Sequence, residues 1–265
     1  MLTAKEMKKR QSTIIKGQLN TEKKPRSSGD KMDWYEELDF DENPFDTNPK
    51  RFADKLVGVE ELLEEAHYRV AAGSLLFIEG KPGTGKTSIL WNLIKKHRGK
   101  IIYFDCEQLE RTLNIEKLIV SRHGLIGRFF KRKPKNLILL LDNVSELSKK
   151  NSERVKYFFD QGYLLSAVFT GTNFQNVNFS QSLKERIGTR VVKTPELEPY
   201  QAVTLVRNRI GKLDKIEDTL IEELFKSSSR NPLKLLQNLD KLFTYSVENN
   251  EKQITEKILK KVVGG

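Results

Sequence analysis

The sequence of 265 residues is long enough for one large domain, or for a medium-sized domain followed by a small one. Hydrophobic residues make up 37% and charged residues 31%, which is the balance of a soluble globular protein and excludes a wholly disordered chain. The formal net charge of +11 favours polyanionic partners such as nucleic acid or an anionic membrane surface, although solvated lysines alone would give the same value.

Cysteine and histidine usage and the apolar runs argue against other classes of protein. Cys106 is the only cysteine, so the chain cannot form an intrachain disulfide. His67, His97 and His123 are scattered and have no neighbours at metal-ligand spacing, so we expect no transition-metal site. No apolar run is long enough to cross a bilayer, and the charged N-terminus lacks the apolar core of a signal peptide. We therefore expect a cytoplasmic protein without a transmembrane segment.

The first stretch of the chain is strongly basic. Residues 1–31 contain nine Lys or Arg against three acids and almost no large apolar residues. Such a composition cannot bury enough apolar surface to fold, so we predict a disordered basic tail over residues 1–32. The tail either solubilises the protein or binds phosphate groups.

An acidic and aromatic segment follows the tail. Residues 33–46 contain seven acids and no basic residue, together with five large apolar side chains, namely Trp34, Tyr35, Leu38, Phe40 and Phe45. At that density we predict that the apolar side chains anchor a short helix and an extended strap onto the domain. The helix must end before Asn43-Pro44, because a residue that precedes proline avoids helical backbone angles.

Helices and strands then alternate up to about residue 194. Helical periodicity covers residues 59–72 and 87–97. Short apolar runs predict strands over residues 75–80, 100–104, 137–141 and 166–172, with a fifth strand beginning at Val191. The run LILLL at 137–141 is apolar throughout, as expected for a strand that is covered on both faces. The alternation predicts an α/β domain over residues 33–194, with a parallel sheet flanked by helices.

The last part of the chain has no strand pattern. Four segments have helical character, at residues 200–209, 217–227, 232–247 and 255–263. We therefore predict a small all-helical lid domain over residues 195–265.

The sequence GKPGTGKT at residues 80–87 has the pattern of a phosphate-binding P-loop and lies between a predicted strand and a predicted helix. Glycines let backbone N–H groups wrap phosphate oxygens, Lys86 reaches the β- and γ-phosphates, and the Thr87 hydroxyl ligates magnesium. The positive N-terminal end of the following helix also favours an anion. We predict that ATP with Mg²⁺ binds at Gly80, Lys81, Pro82, Gly83, Thr84, Gly85, Lys86, Thr87 and Ser88.

An acidic residue ends the third predicted strand. In LILLLD, Asp142 lies at the carboxyl tip of the strand, beside the P-loop, where a carboxylate can hold the magnesium shell; a helix cap is its alternative role. Asn143 stands where many P-loop ATPases have a glutamate, and an amide cannot act as a general base. Glu146 either substitutes for that base or is a solvated surface acid.

The fourth predicted strand ends in Thr172-Asn173. A polar side chain at that tip can reach the γ-phosphate or the attacking water, whereas an ordinary turn asparagine is the alternative. Because the tip lies next to that of the acidic strand, we take Asn173 as a candidate catalytic residue.

The order of these parts resembles that of an AAA+ ATPase. Members of that class have a P-loop, an acidic strand, a polar sensor-1 residue on a further strand and then a helical lid. The chain shows GKPGTGKT, LILLLDN and FTGTN in that order, followed by its helical region. The resemblance covers about residues 33–263 and implies an AAA+ fold, ATP as the ligand and assembly into a homo-oligomer.

Segments outside the core resemble one group within that class. WYEELDFDENPF (34–45) and RFADKLVGVEELLEE (51–65) look like the beginning of ExeA-type ATPases and of their transposition relatives of the TniB and TnsC type, and are similar to the start of archaeal and eukaryotic origin-recognition initiators. The resemblance implies that Val57 and Gly58 lie near the adenine. We expect no winged-helix domain after the lid, and therefore no sequence-specific origin reading.

The segment SLKERIGTR (182–190) resembles the part of this group in which an arginine reaches the nucleotide of a neighbouring subunit. Arg186 is the first candidate and Arg190 the second, with a surface arginine as the alternative for each. The lid of the group often carries a sensor-2 arginine in a G-N-P-R stretch.

The matching stretch in this chain is SSRNPLKLL at 228–236. It has Leu233 at the arginine position, Arg230 before it and Lys234 after it. Leu233 and Asn143 are two departures from the pattern, and both argue against fast hydrolysis.

One further basic cluster precedes the acidic strand. RHGLIGRFFKRKPK at 122–135 contains six Lys or Arg around Phe129-Phe130. Basic residues interleaved with aromatic ones suit a nucleic-acid contact, and they also suit a solvated turn whose phenylalanines enter the core.

We predict an ATP-binding AAA+ ATPase that acts in a DNA transaction such as replication, transposition or DNA maintenance, with the ATP state setting oligomerisation. The basic tail and residues 122–135 would hold the phosphate backbone of DNA. Two alternatives remain open. One is an ATP switch or scaffold that binds a protein partner and hydrolyses slowly or not at all, and the other is an ExeA-like secretion-associated ATPase.

Overall fold

The computed structural model describes residues 32–108, 115 and 135–264, so nearly all of the predicted basic tail and of the basic cluster at 122–135 lies outside the described residues. The helices are α1 (Trp34–Glu37), α2 (Glu60–Ala71), α3 (Lys86–Lys96), α4 (Lys149–Asp160), α5 (Gln181–Ile187), α6 (Pro199–Ile210), α7 (Asp218–Ser227), α8 (Pro232–Glu248) and α9 (Glu256–Val263). The strands are β1 (Leu75–Glu79), β2 (Lys100–Asp105), β3 (Leu137–Asp142), β4 (Leu164–Gly171) and β5 (Val191–Lys193). None of these described helices has the length and apolar character needed to cross a membrane.

All five strands pair in parallel, in the order β2-β3-β4-β1-β5. The predicted α/β fold class, with a parallel sheet flanked by helices and a helical C-terminal region, is confirmed. Because β4 lies between β1 and β3, the strand that ends in Asp142 is not a direct neighbour of the strand that leads into the P-loop. Thr170 on β4 therefore lies between the two, paired with Ile78 of β1.

Helices cover both faces of the sheet, and successive residues of a strand point to opposite faces. Leu75 and Phe77 belong to the core that is shared with α4 and α5. Leu76 and Ile78 belong to the core that is shared with α2 and α3. All six residues of β3 are buried, which accounts for its uniformly apolar sequence before Asp142.

A third apolar core joins the four C-terminal helices to the aromatic segment near the N-terminus. Trp34 and Phe45 stack with 5.6 Å between ring centroids, and both rings contact Phe243 on α8. The Trp34 indole N–H and the Asn43 amide both donate to Oδ1 of Asp240, over 3.0 and 2.8 Å. This segment, residues 33–46, is the strap, and it packs on the helices that the sequence assigned to the lid. The division into domains at residue 195 stays a prediction.

We expect Phe45→Ala to lower the free energy of unfolding by roughly 3–5 kcal/mol, because it removes a fully buried ring beside Trp34 and Phe243. Chemical denaturation followed by circular dichroism would measure the loss. Tyr200→Ala is the control, since that ring is 64% exposed, and it should change the stability by less than about 0.5 kcal/mol. Equal effects of the two substitutions would show that the strap adds nothing to the folded core.

Candidate functional site

A cavity of about 570 Å³ lies where the P-loop, the residues that precede α2, and helices α6 and α8 meet. Its polar end is lined by residues 81–88 of the P-loop, together with Glu107 and Asn143. Its apolar end is lined by Phe52, Val57, Leu205 and other aliphatic side chains. A cavity with one polar and one apolar end suits a ligand that carries both an anionic group and a flat apolar ring system.

The P-loop, residues 80–87, runs from the end of β1 into the first turn of α3. Gly83 and Gly85 have φ of 81° and 87°, in the left-handed region that only glycine adopts at little cost. Gly85 is the N-cap of α3, and the first turn of that helix contains no acidic residue. The free N–H groups of this turn therefore present positive partial charge to the cavity.

Lys86 is buried at the bottom of the P-loop, with 7% of its surface exposed. Its ammonium group donates to the carbonyl oxygens of Gly80 and Lys81, over 2.6 and 2.9 Å. Burial lowers the pKa of Lys86, while the charges of Asp142 and Glu107 act in the opposite direction and raise it. The lysine is thus held close to two carboxylates without a salt bridge to either.

Asp142 is 1% exposed, and hydroxyl groups of two neighbouring strands donate to its carboxylate. The Tyr103 hydroxyl on β2 donates to Oδ2 over 3.0 Å, and Thr170 on β4 donates to Oδ1. Burial, followed by the charge of Asp142, raises the pKa of Tyr103, so the phenol stays protonated and remains a donor. The carboxylate of Asp142 and the hydroxyl of Thr87 are the oxygen ligands that Mg²⁺ prefers, so this donor set fits the predicted metal.

Asn143 turns the chain at the end of β3, with φ of 52° in the left-handed region. Its backbone N–H donates to the Thr170 hydroxyl over 3.0 Å, and its side-chain amide donates to Oδ1 of Asp105 over 3.2 Å. The segment after β2 therefore lies against the segment after β3. It brings a second acid, Glu107, to the wall of the cavity.

The sequence reasoning missed Tyr103, Asp105, Glu107 and Thr170. Asp105 ends β2, just as Asp142 ends β3, and Glu107 lies two residues further on. Acids at the end of a second strand could have signalled their place at the same edge of the sheet. Thr170 lies two positions before the polar pair that the sequence selected, and its hydroxyl rather than Asn173 meets the buried carboxylate.

Two predicted catalytic residues lie outside the cavity. Glu146 is exposed at the end of a 3₁₀ turn, Val144–Glu146, and does not line the cavity. Asn173 is exposed, and its Oδ1 accepts from the backbone N–H groups of Gln175 and Asn176, as in an ordinary turn. In this arrangement neither side chain is placed to act on a ligand in the cavity.

The two candidate arginines also lie outside the cavity, and both have partners within the chain. Arg186 donates to Asp160 over 3.0 Å and stacks over the Phe159 ring, yet half of its side chain is exposed. Arg190 donates to the carbonyl oxygens of Leu75 and Arg186. Arg190 thus ties α5 to the sheet, while Arg186 has the freer side chain.

The two residues that were expected near the adenine have different surroundings. Val57 lines the apolar end of the cavity. Gly58, with φ of 72°, is packed so closely that a Cβ would lie 2.5 Å from the Leu197 side chain. At the same end, Arg209 donates to the carbonyl oxygens of Pro44 and Asp46 and thereby fixes the strap to α6.

The lid reaches the polar end of the cavity through the turn before α8. Arg230, Asn231 and Leu233 line the cavity, whereas Lys234 does not. Asn231 donates to the carbonyl oxygen of Pro82 over 2.8 Å, a contact that the sequence reasoning missed. Leu233 is uncharged and occupies the position at which the resemblance to AAA+ ATPases implies an arginine.

Comparison with known proteins agrees with this architecture. Residues 72–200, slightly under half of the chain, match the family described as AAA domain. No curated protein matches the sequence. Among solved structures, the fold is similar to that of Cdc6p from Pyrobaculum aerophilum, with a TM-score of 0.65, 16% identity, and coverage of 85% of this chain and 72% of that one.

Two further structures extend the likeness. The Aeropyrum pernix ORC1 protein in complex with DNA has a TM-score of 0.64 and 15% identity, and the match covers 81% of this chain and 69% of that one. The Thermotoga maritima RuvB Holliday junction branch migration motor has a TM-score of 0.60 and 16% identity, and the match covers 80% of this chain and 70% of that one. At these identities the likeness establishes the fold alone.

We expect Thr170→Val to weaken Mg²⁺-dependent ATP binding by roughly ten- to a hundredfold, because it removes the donor to Asp142 and the acceptor for the Asn143 N–H without changing the side-chain volume. Titration with labelled ATP in Mg²⁺ and in EDTA would measure the effect. Thr170→Ser keeps the hydroxyl and should bind as the parent does. An equal loss in Mg²⁺ and in EDTA would show that Thr170 does not act through the metal site.

Proposed function

We propose that this chain, an AAA+ P-loop protein whose fold resembles that of origin-recognition initiators, binds ATP with Mg²⁺ and acts in a DNA transaction. The observation that carries the nucleotide part is the electrostatics of the cavity. Lys86 and Thr87 line it, and Asp142 is buried close enough that its charge opposes the lowering of the Lys86 pKa by burial. A cation for the phosphates and a carboxylate for the metal are thereby held at one sheet edge.

Each residue of the polar end has one role in this proposal. Lys86 would exchange its two carbonyl partners for the β- and γ-phosphates, and the N–H groups of the P-loop turn would hold phosphate oxygens. Thr87 and Asp142 would hold Mg²⁺, which when bound neutralises the charge on the phosphates. Tyr103 and Thr170 would keep the Asp142 carboxylate oriented.

The apolar end would take the base. Val57 lines it together with Phe52, Leu205 and Leu236, which come from the segment before α2 and from two lid helices. A flat heterocycle buried between such side chains gains from apolar contact on both faces. Gly58 would contribute by close packing against Leu197 rather than by touching the ligand.

Hydrolysis requires a group that activates water, and the Asn143 amide has no basic carboxylate. Glu107 is the carboxylate that supports this role, because it lines the cavity and its charge reaches Lys86. Asn143 would orient the water, and its hydrogen bond to Asp105 fixes the side chain. We therefore propose that the chain is an ATPase with Glu107 as the general base.

The ATP state would also set assembly into a homo-oligomer. Arg186 remains the first candidate for reaching a neighbouring subunit's nucleotide, since half of its side chain is exposed. Arg190 is the weaker candidate, because two backbone carbonyls hold it. Arg230, which lines the cavity beside the P-loop, would act on the nucleotide of its own subunit.

The proposal of a DNA partner rests on charge. Beside the net charge of +11, an open groove between α4 and α5 is lined by Lys149, Lys150 and Lys184, with the amide side chains of Asn176 and Asn178 between them. Within the described part of the chain, none of these lysines forms a salt bridge. The groove also contains Glu153, and the Lys184 ammonium donates to the carbonyl oxygen of Gln175 over 2.7 Å. Three lysines and neutral amides along a groove suit the phosphate backbone of DNA.

A second function is favoured by one observation. Asn143 replaces the usual catalytic glutamate, so the chain could act as an ATP-dependent switch that binds a protein partner and turns over slowly. ATP turnover in the presence and absence of duplex DNA distinguishes this switch from a DNA-stimulated ATPase.

We expect the parent protein to hydrolyse ATP faster with duplex DNA, and Lys86→Ala to lose nucleotide binding because no cation remains for the phosphates. Glu107→Gln should bind ATP as the parent does but turn over roughly a hundredfold more slowly, since the amide cannot accept a proton. A coupled phosphate-release assay and a labelled-ATP titration would measure both. Tight ATP binding by Lys86→Ala would refute the nucleotide site, and unchanged turnover of Glu107→Gln would refute the base.

A triple substitution of Lys149, Lys150 and Lys184 by glutamine should weaken duplex DNA binding and reduce the slope of log affinity against log salt by up to about 2.7, or about 0.9 for each lost phosphate contact. Fluorescence anisotropy at several salt concentrations would measure it. The control is the same triple substitution at Lys212, Lys252 and Lys257, which are exposed lid residues. Both variants lose the same net charge, so equal slopes would show that the groove has no specific role.

A further inference from the structure

One amide side chain bridges the P-loop and the longest helix of the lid. Oδ1 of Asn231 accepts from the backbone N–H groups of Leu233 and Lys234, over 3.0 and 3.2 Å, and so caps the start of α8. Nδ2 of the same side chain donates to the carbonyl oxygen of Pro82 over 2.8 Å. Because the oxygen faces donors and the nitrogen faces an acceptor, the orientation of the amide is fixed by its partners.

The backbone of the P-loop lies directly against this cap. Gly83 has φ of 81°, and a Cβ added there would lie 2.5 Å from Oδ1 of Asn231 and 3.0 Å from Cβ of Leu233. Glycine is therefore required at this position for two reasons, its backbone angle and the approach of the lid. Because the loop and the cap are packed so closely, a shift of the loop must displace α8, and a shift of α8 must displace the loop.

Other contacts between the two parts are weaker. Lys81 and Glu196 form an ion pair of 2.6 Å, but their side chains are 78% and 64% exposed, so solvent screens the pair. Thr194 donates to the Thr84 hydroxyl over 3.0 Å from the segment between β5 and α6. Among the described contacts between P-loop and lid, Asn231 alone joins the loop to the end of a helix.

The contact also fixes one peptide group of the phosphate cradle. In a trans peptide the C=O and N–H bonds point in opposite directions, so holding the Pro82 carbonyl toward Asn231 directs the Gly83 N–H away from it. That N–H has no hydrogen-bond partner among the described residues. A donor with a fixed direction and no internal partner is suited to a phosphate oxygen.

The far side of α8 carries the strap. Asp240, two turns along the helix from the cap, accepts from the Trp34 indole and from the Asn43 amide. A displacement at the P-loop can therefore pass along one rigid helix to the aromatic core around Trp34. Leu233 cannot make a charged contact with a phosphate, which leaves Asn231 as the polar link between loop and helix.

We propose that Asn231 is a positioning residue that transmits the state of the P-loop to α8 and the strap, a role that rests on the proposed ATP binding. Its hydrogen bond orients the Pro82–Gly83 peptide and couples that peptide to the lid. The fluorescence of Trp34 can report this coupling, since the Trp34 ring is buried against α8.

The test compares Asn231→Ser with the parent, both in a Trp91→Phe background so that Trp34 alone reports. Serine still caps a helix but is too short to reach Pro82, so it separates the loop contact from the cap. Labelled ATP measures binding, and Trp34 emission at saturating ATP measures the response of the lid. We expect Asn231→Ser to bind ATP about tenfold more weakly, as for one lost hydrogen bond, and to lose most of the Trp34 response even at saturation.

Ser148→Ala is the matched control, because it removes the cap of α4, far from the P-loop, and should leave the Trp34 response intact. A full Trp34 response in ATP-saturated Asn231→Ser would overturn this inference while leaving the nucleotide site standing. Failure of the parent itself to bind labelled ATP would overturn the proposed function, and this inference with it.

Discussion

The buried carboxylate of Asp142 is the constraint on which the site depends. A charge that is 1% exposed must have hydrogen-bond donors, because burial without them would cost several kcal/mol. Tyr103 from β2 and Thr170 from β4 supply those donors, so the carboxyl ends of three adjacent strands are held around one pair of oxygens. Thr170 also accepts from the N–H of Asn143, which sets the left-handed turn that brings this residue to the cavity.

Lys86 provides the opposite charge, and it is held in a different way. Two backbone carbonyls of its own loop accept its protons, so neither Lys86 nor Asp142 uses the other as a direct partner. Burial lowers the pKa of Lys86, and the charge of Asp142 acts against that effect, so the two charges still attract each other at longer range. A triphosphate with a divalent cation offers one partner to each, which is why this pairing suits Mg²⁺-ATP better than it suits a simple anion.

The sequence predicted the parts of the site that consist of consecutive residues. It missed the parts that depend on contacts between distant segments. The P-loop and the apolar strand before Asp142 are continuous patterns. The strands and the helices α2, α3 and α6 to α9 lie close to their predicted positions, whereas α4 and α5 were not predicted. Thr170 meets a carboxylate 28 residues away, and Asn231 meets the P-loop across 149 residues. Hydrophobic periodicity in the sequence carries no information about such contacts. Asn173 was selected instead of Thr170 because a strand tip is visible in the sequence, whereas the inward-facing hydroxyl before it is not.

The same limit explains the strap. Its aromatic residues predict an anchor, but the partner that they need lies on α8, 206 residues further along, so the sequence could not name it. The strap reaches the cavity at its end, where Asp46 is one of the lining residues. Phe52 and Val57 lie before residues 72–200, the part that matches the AAA domain family, and Leu236 lies after it. The apolar end therefore forms only when the segment before α2, helix α6 and helix α8 pack together. Because Asn231, the N-cap of α8, also binds the P-loop, one helix borders both ends of the cavity, and its position affects the shape of the apolar end and of the polar end together.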